Sequence, residues 1–237
     1  MRLAVNIDHF ATLREARKGT EPEPALVALL AEQAGVHGIV CHIRSDRRHI
    51  KERDLGVLRE TVKTKLNVEM AATEGMRAIA LDIKPDVVSL VPERPEELTT
   101  EGGLKVSGGG ARLRAHVKAL QGAGIRVSIF IDPDLKEIGA AAGLGVDLIE
   151  INTGKYADLG PGAERDKALA AVERAAEFGH GKGLEIHGGH GLDYRNVGPI
   201  VGIPQMMELS IGFSIVARAA VVGIERAVKD MLALLER

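Results

Sequence analysis

The chain has 237 residues, of which 45% are hydrophobic, so it can bury one large core within a single domain. Its 31 lysines and arginines are balanced by 33 aspartates and glutamates, and aromatic residues make up only 3%, with no tryptophan. A balanced charge gives no attraction to phosphate backbones or anionic lipid, and so few aromatics offer no platforms for stacking bases, so no nucleic acid partner is expected.

The cysteine content and the lack of long apolar stretches narrow the cellular setting. Cys41 is the single cysteine, so the chain can form neither an internal disulfide nor a multi-thiolate zinc site, as is typical of proteins made for a reducing compartment. The opening MRLAVNIDHF has too short an apolar run for a signal peptide, and no stretch approaches the roughly 20 apolar residues of a membrane span. We therefore expect a cytoplasmic protein with no membrane partner.

Short β-branched runs alternate with longer segments of helical periodicity along the whole chain. The runs predicted as strands are LAVNID (3–8), GIVCHI (38–43), KLNVEMA (65–71), DVVSLVP (86–92), RVSIFID (126–132), DLIEIN (147–152), GLEIHG (183–188) and QMMELSIG (205–212). The predicted helices include PALVALLAEQAG, RDLGVLRETVK, TEGMRAIALDI, ARLRAHVKALQGAG, DLKEIGAAAGLG, ERDKALAAVERAAEFG and the long closing SIVARAAVVGIERAVKDMLALLER. Gly35, Gly124 and Gly145 fall where helices should end.

This alternation predicts a parallel sheet covered by helices, with apolar residues on both faces of its strands. An open doubly wound sheet would show a Gly-x-Gly-x-x-Gly loop after its first strand, but DHFATLREAR stands there. Eight units in a chain near the usual length of about 250 residues favour closure. We predict a single (β/α)8 TIM barrel catalytic domain over 1–237, with extra short helical inserts.

Polar side chains follow most of the predicted strands at the point where each strand ends. In chain order they are Asn6, Asp8 and His9; His42, Arg44, Arg47, Arg48 and His49; Glu69; Asp132; Glu150 and Asn152; and His187 and His190. Strand ends of such barrels meet at the rim that carries catalytic groups. A lone histidine there is more often structural, and Glu69 alone is explained equally well by a salt bridge or by catalysis. Histidines and glutamates arriving from different strands are harder to attribute to packing, so together they predict an acid–base site.

Two segments offer sites for anions. In GLEIHGGHGLDYRNV, the glycines Gly188, Gly189 and Gly191 could cradle a phosphate with backbone N–H groups beside His190, or could only form a tight turn. In HIRSDRRHIKERD, Arg44 and His49 could bind a second anionic group, or the run could be the solvated start of a helix. Two anion sites on one rim would suit substrates with two phosphate groups.

The segment ERPEELTTEGGLKVSGGG, from 93 to 110, is long and polar. Connections of this length without structure are rare in compact domains unless they act as lids or binding loops. We interpret it as a mobile cover over the site, with Thr99 and Thr100 as hydroxyl donors. Plain disorder is the alternative.

Seven segments in chain order resemble the successive signatures of the pyridoxine 5'-phosphate synthase family. They are VNIDHFATLREAR, HIRSDRRHI, NVEMAATEGM, LVPERPEELTTEGGL, SIFIDPD, IEINTG with YAD, and GGHGLDYRNV. The resemblance implies an enzyme that condenses 3-amino-2-oxopropyl phosphate with 1-deoxy-D-xylulose 5-phosphate to pyridoxine 5'-phosphate, inorganic phosphate and water. It also implies a (β/α)8 barrel that uses no metal and no organic cofactor and assembles into homo-octamers of paired dimers.

The resemblance further implies roles for individual residues. It makes His42, Glu69 and His190 the proton-transfer groups and Glu150 a stabiliser of the transition state. Contacts to the amino-ketone phosphate fall on Asn6, Arg17, Gly191, Gly212 and Phe213, and contacts to deoxyxylulose phosphate fall on Asp8, His9, Arg44, His49 and Thr99. For Glu69 to act as a strong enough base, burial must raise its pKa from the usual value of about 4.3.

Three positions depart from the family pattern. Phe213 stands where members commonly have a histidine, Asn152 replaces a frequent histidine, and Lys18 is an extra residue after Arg17. A phenylalanine ring cannot donate an N–H to phosphate, so the backbone would have to supply the donors at that position.

Two other functions remain compatible with the residues. A metal-assisted phosphosugar epimerase or hydrolase could use His9, His42, His187 and Asp132, since imidazole and carboxylate suit zinc. A non-catalytic phosphosugar-binding barrel would keep the anion loops without turnover. Metal analysis and an activity assay distinguish these from the synthase.

Overall fold

Eight parallel strands close into one barrel in the computed structural model, which describes residues 1–94 and 102–236. The strands are β1 Arg2–Asn6, β2 Gly38–His42, β3 Leu66–Met70, β4 Val87–Leu90, β5 Arg126–Ile131, β6 Leu148–Asn152, β7 Glu185–Gly189 and β8 Met206–Ile211. Each strand pairs with its successor in the sequence, and β8 pairs with β1, which closes the barrel. The predicted (β/α)8 barrel and its eight strands are confirmed.

Helices cover the outside of the barrel. They are α1 Asp8–Ala16, α2 Pro24–Gln33, α3 Glu52–Thr61, α4 Glu74–Ile83, α5 Gly110–Gly122, α6 Leu135–Leu144, α7 Gly154–Ala157, α8 Ala163–Gly181, α9 Val197–Val201, α10 Phe213–Val222 and α11 Ile224–Leu235. The prediction of one long closing helix was wrong, because Gly223 adopts φ +84° and separates α10 from α11. Within 1–94 and 102–236, no helix combines the length and the apolar character needed to cross a membrane.

The main apolar core lies between the sheet and the helices, outside the barrel. Alternate strand residues such as Leu3, Val5, Ile39 and Cys41 belong to this buried cluster. The positions between them point inward, and many of these inward residues are polar. Buried polar residues of this set are His42, Asn67, Ser89, Ser128, Glu150, His187 and Glu208. Buried apolar residues also occupy inward positions, among them Ala4, Val40, Val87, Phe130 and Leu148. The expectation of apolar residues on both faces of the strands therefore holds for the outer face and in part for the inner face.

A network of ion pairs fills the amino-terminal end of the barrel. This basal ion cluster comprises Arg2, Lys65, Arg126, Glu185, His187 and Glu208. The Nε2 atom of His187 lies 2.8 Å from Glu185 Oε1, and its Nδ1 lies 3.5 Å from Glu208 Oε1. The prediction that His187 reaches the rim with His190 was wrong, because its side chain is committed to this network below the rim.

A buried ion pair fixes α1 against α3. The Arg14 guanidinium donates to both carboxylate oxygens of Asp54, at 2.8 and 2.7 Å, and also to the carbonyl of His49 at 3.0 Å. Both side chains are almost fully buried. Burial alone would raise the pKa of Asp54, but hydrogen bonds from Arg14 and from the Lys51 N–H outweigh it and lower that pKa. The pair thus ties the first helix to the segment that carries His49.

Replacing Arg14 by methionine should destabilise the fold strongly, because it leaves the Asp54 carboxylate buried without its partner. We expect the free energy of unfolding to fall by about 3–5 kcal/mol at pH 7. The loss should shrink as the pH falls below 3.8, the ordinary pKa of the carboxyl group, since the pair stabilises the protein only while Asp54 is ionised. Urea unfolding followed by circular dichroism measures both effects.

The matched control is Lys167→Met, which removes a pair with Glu164 whose two side chains are both 73% exposed. Such a surface pair contributes only about 0–1 kcal/mol. Equal destabilisation by the two substitutions would contradict the structural role of Arg14.

Candidate active site

Three predicted residues meet at the carboxyl ends of β1, β2 and β3. A carboxylate oxygen of Asp8, a ring nitrogen of His42 and a carboxylate oxygen of Glu69 lie within 4.8 Å of one another. The backbone N–H of His42 donates to Asp8 Oδ1 at 2.7 Å, and His42 Nδ1 lies 3.8 Å from Glu69 Oε2. The closed barrel creates this group, because β2 and β3 are paired with His42 opposite Glu69.

Glu69 occupies an environment that favours its protonated form. Its side chain is 15% exposed, and within the described parts of the chain no lysine or arginine forms an ion pair with it. Burial raises the pKa of Glu69 well above the usual 4.5, and the nearby Glu150 and Asp8 carboxylates raise it further. Within the described residues, the absence of a lysine or arginine partner disfavours the salt-bridge explanation for Glu69.

Glu150 points into the barrel from β6 and is buried. Burial raises its pKa to about 8, the Glu208 carboxylate adds to the effect, and Lys65 opposes it. A Cβ atom at Gly189 would lie 2.2 Å from Glu150 Oε1, so glycine at this position makes room for the carboxyl group. Gly188 and Gly189 belong to β7, and packing explains them without an anion.

Glu93 is a site residue for which sequence reasoning assigned no role. Its Oε1 lies 2.9 Å from His42 Nε2, and its Oε2 accepts a hydrogen bond from Ser45 N–H at 3.0 Å. Burial would raise the pKa of Glu93, but these hydrogen bonds outweigh it and lower that pKa to about 2. One sequence signal was available, because Glu93 follows β4 as the other polar site residues follow their strands.

His190 stands on the wall formed by β5, β6 and β7, across the barrel from β2 and β3. Its ring centroid is 6.3 Å from that of Phe130, and it crowds Gly154, where a Cβ atom would lie 2.9 Å from His190 Cδ2. The residue adopts φ +80°, unusual for a side chain other than glycine, and its carbonyl accepts from Thr153 Oγ1 at 2.6 Å. His190 and the pair of His42 and Glu69 therefore lie on opposite walls of one rim.

Four of the five residues predicted to bind the amino-ketone phosphate, all except Arg17, gather where β7, β8 and β1 end. A Cβ atom at Gly212 would lie 3.1 Å from Asn6 Cβ, and Ser214 Oγ donates to the carbonyl of Leu192, next to Gly191. The helix α10 begins here, and its first N–H groups have no partners within the helix. An anion can bind at such a helix N-terminus.

His9 and Phe213 stand side by side at this end of the barrel. Phe213 is 69% exposed, and its ring meets that of His9 edge to face at 5.3 Å. His9 Nδ1 is buried and makes no hydrogen bond within the described chain. The side chain of Phe213 thus contacts the imidazole of His9 and supplies no hydrogen-bond donor.

Arg44 and His49 lie beside His42. Arg44 is buried and donates to the carbonyl of Arg94 at 3.1 Å, while its Nε has no hydrogen-bond partner in the described chain and lies 3.7 Å from Asp46. The ring centroids of His49 and His42 are 6.2 Å apart. Burial lowers the pKa of His49, which keeps the ring neutral at physiological pH.

Other predicted residues lie apart from this group or outside the described chain. Arg17 is exposed at the far end of α1 from Asp8, about 13 Å along the helix axis, and Thr99 and Thr100 fall within the segment that the structure does not describe. Asn152 donates to Asp132 Oδ1 at 3.0 Å and accepts from Gly154 N–H.

The alternative metal site of His9, His42, His187 and Asp132 is not assembled. His187 belongs to the basal ion cluster, and Asp132 binds Asn152 and the N–H of Gly103. The group of Asp8, His42 and Glu69 is the one that could hold a metal ion among the described residues.

Comparisons with known proteins converge on one family. The family model of the pyridoxal phosphate biosynthesis protein PdxJ matches residues 3–237. A pyridoxine 5'-phosphate synthase of Synechococcus sp. (strain JA-2-3B'a(2-13)) is 55% identical over 231 residues, covering 98% of this chain and 97% of the relative. The synthase of Chlorobium luteolum is 51% identical over 235 residues, covering 99% and 100%.

Solved structures of low sequence identity share the architecture. KGPDC from Streptococcus mutans superimposes with a TM-score of 0.67 at 13% identity, covering 98% of this chain and 96% of that chain. Phosphoribosyl anthranilate isomerase from Thermus thermophilus gives a TM-score of 0.64 at 14% identity, covering 99% and 98%. At such identity the likeness establishes the fold alone.

Replacing Glu150 by glutamine should stabilise the protein at alkaline pH. Because the pKa of Glu150 rises from 4.5 to about 8 on folding, the wild type loses stability as the pH rises through this interval, by up to about 5 kcal/mol. The glutamine variant lacks this loss. We expect its Tm to exceed that of the wild type at pH 8 and the difference to disappear near pH 5, as measured by circular dichroism.

The control variant is Glu177→Gln, since Glu177 is exposed on α8. Its Tm should track that of the wild type at every pH. A Glu150→Gln difference that is the same at pH 5 and pH 8 would contradict the raised pKa.

Proposed function

We propose, since the chain belongs to the family of the pyridoxal phosphate biosynthesis protein PdxJ, that it is a pyridoxine 5'-phosphate synthase with its active site at the rim described above. The reaction joins 3-amino-2-oxopropyl phosphate to 1-deoxy-D-xylulose 5-phosphate and releases phosphate and water. The observation that supports this most directly is the meeting of Asp8, His42 and Glu69 within 4.8 Å, in a barrel where the pKa values of Glu69 and Glu150 are raised.

Glu69 and His42 act as the first proton-transfer pair. Joining an amine to a ketone, expelling phosphate and closing an aromatic ring all move protons, and each transfer needs a group that titrates near neutrality. An ordinary glutamate is too weak a base for this work. The raised pKa of Glu69 makes it a stronger one, and the 3.8 Å between Glu69 Oε2 and His42 Nδ1 leaves the two groups close enough to serve the same substrate atom.

His190 and Glu150 serve the other side of the substrate. His190 exchanges a proton from the opposite wall, as acid or base. Glu150, whose pKa is about 8, is mostly protonated at pH 7 and can donate a hydrogen bond there or, once ionised, stabilise a positive charge that develops in the ring. Because its pKa lies about one unit above neutral pH, Glu150 can be either protonated or ionised, which suits a residue that stabilises a transition state.

The two phosphate groups occupy the two ends of the rim. The amino-ketone phosphate binds at the α10 N-terminus, with Asn6, Gly191, Gly212 and the backbone of Phe213 around it. The deoxyxylulose phosphate binds near the buried Arg44 and His49, with Asp8 and His9 beside it. By family resemblance Thr99 joins the deoxyxylulose phosphate set and Arg17 the amino-ketone phosphate set, although Arg17 lies at the far end of α1 from Asp8 in this chain.

We expect the protein to work in the cytoplasm and, by the same resemblance, to assemble as a homo-octamer. The neighbouring helices α1 and α2 expose Leu13 at 52%, Leu26 at 55% and Leu29 at 44%. An apolar surface of this kind suits contact with another copy of the chain. A monomer in sedimentation velocity would remove this part of the proposal.

A metal-assisted reaction is the second candidate, because Asp8, His42 and Glu69 form a possible ligand group. It predicts stoichiometric zinc in the purified protein and loss of activity with a chelator. Full activity of chelator-treated, metal-depleted protein would exclude it.

Glu69→Gln and His190→Ala should each abolish synthesis, because each removes a group that must exchange protons with the substrate. We expect at least a roughly 10²-fold loss of kcat. The assay mixes the two substrates with the protein and follows the fluorescent, ultraviolet-absorbing pyridine ring together with released phosphate. Circular dichroism verifies that both variants are folded.

Glu177→Gln on the exposed face of α8 provides the matched control and should keep wild-type activity. Turnover near the wild-type rate in either test variant would overturn its assigned role. A wild-type protein that binds deoxyxylulose phosphate by calorimetry but makes no product would instead identify a non-catalytic phosphosugar-binding barrel.

A further inference from the structure

The imidazole of His42 is held between two carboxyl groups that differ in character. Glu93 Oε1 lies 2.9 Å from Nε2, at hydrogen-bonding distance, whereas Glu69 Oε2 lies 3.8 Å from Nδ1, beyond it. The pKa of Glu93 is lowered to about 2 and that of Glu69 is raised, so at neutral pH one neighbour is an anion and the other holds its proton more firmly. The His42 ring therefore has one fixed hydrogen-bond partner, Glu93 at Nε2, and its Nδ1 remains available for proton transfer.

This geometry selects one tautomer of His42. An ionised carboxylate accepts hydrogen bonds and cannot donate them, so Glu93 requires an N–H on Nε2. The neutral ring then carries its lone pair on Nδ1, which faces Glu69 and the mouth of the barrel. A carboxylate that orients a catalytic imidazole in this way also stabilises the imidazolium form, as the aspartate does in serine protease triads.

The carboxylate of Glu93 is itself fixed in place. Its second oxygen accepts from Ser45 N–H at 3.0 Å, and the carbonyl of the next residue, Arg94, accepts from Arg44 at 3.1 Å. The Glu93 and His42 side chains are 9% and 5% exposed. Water competes weakly for a hydrogen bond at this depth, so rotation of Glu93 away from His42 would leave two buried groups without partners.

We propose that Glu93 is a positioning residue for the synthase reaction, which holds His42 in the Nε2–H tautomer and directs its basic Nδ1 toward the substrate and Glu69. The proposal rests on the proposed function for its catalytic consequence. Glu93 acts through His42 and has no assigned contact with either substrate.

Several other ionisable groups act on the same ring or on its neighbours. They are Asp8 at the start of α1, Glu69 on β3, His49 and Arg44 after β2, and His9, which acts on His49. All of them remain in a Glu93 variant, so a change in pH dependence on replacing Glu93 reports the loss of this one carboxylate.

Glu93→Gln and Glu93→Ala test the proposal in steady-state assays with both substrates. We expect kcat to fall roughly 10²-fold in Glu93→Gln, while the Kd of deoxyxylulose phosphate measured by calorimetry changes little. Because the variant removes a negative charge 2.9 Å from His42 Nε2, the acid limb of the kcat/KM profile should move to lower pH. Glu93→Ala should show a larger loss of kcat.

The matched control is Glu74→Gln, since Glu74 is an exposed carboxylate on α4 that pairs with Arg77. It should reproduce the wild-type rate and pH profile. Wild-type kcat and an unmoved acid limb in Glu93→Gln would overturn the proposal. So would a loss of Tm or a rise in KM with an unmoved acid limb, because that pattern indicates a purely structural residue.

Histidine tautomers provide a readout that does not depend on turnover. With ¹⁵N-labelled histidine, the His42 signals, assigned through a His42→Gln variant, should report an Nε2–H tautomer in the wild type and lose that preference in Glu93→Ala. An Nδ1–H tautomer in the wild type would overturn the proposal even if synthesis is observed. If instead the wild type makes no pyridoxine 5'-phosphate, the proposed function fails, and the tautomer measurement still decides whether Glu93 orients His42.

Discussion

The structure depends on an apolar core that lies outside the sheet. Residues such as Leu3, Val5, Ile39 and Ile149 pack between strands and helices and form part of the apolar layer that stabilises the closed barrel. Barrels of this class usually fill their interior with bulky branched side chains. Because the outer layer supplies much of the apolar burial here, the interior can also carry glutamates and histidines, among them the candidate site residues His42 and Glu150.

The interior charges are ordered along the barrel axis. Cations such as Lys65 and Arg2 lie at the amino-terminal end, where they neutralise Glu208. Nearer the rim, no lysine or arginine among the described residues forms an ion pair with Glu69 or Glu150. Burial therefore raises the pKa values of both carboxyl groups. One fold thereby places glutamates in a structural ion network at one end of the barrel and glutamates with raised pKa values nearer the other.

Sequence patterns predicted the architecture and the strand-end positions of several candidate site residues, because both depend on local periodicity and on the ends of strands. Each predicted strand overlaps the observed one, and His42, Glu69 and Glu150 lie where their strands predicted. The break at Gly223 was missed, since helical periodicity continues on both sides of it. Glu93 was missed for a different reason, because its partner is 51 residues away along the chain and no short-range pattern encodes that contact.

The glycines around His190 illustrate how one sequence feature can serve packing and chemistry together. The sequence allowed an anion cradle or a tight turn, and in the structure Gly189 and Gly191 are required for different reasons. Gly189 leaves space for the Glu150 carboxyl group, whereas Gly191 at φ +73° lies where a Cβ would come 2.6 Å from that of Ala157. Between them His190 keeps a left-handed backbone, a conformation that persists only where surrounding contacts enforce it. The glycines on either side of His190 therefore let the buried Glu150 and the half-buried His190 approach the same mouth from adjacent strands.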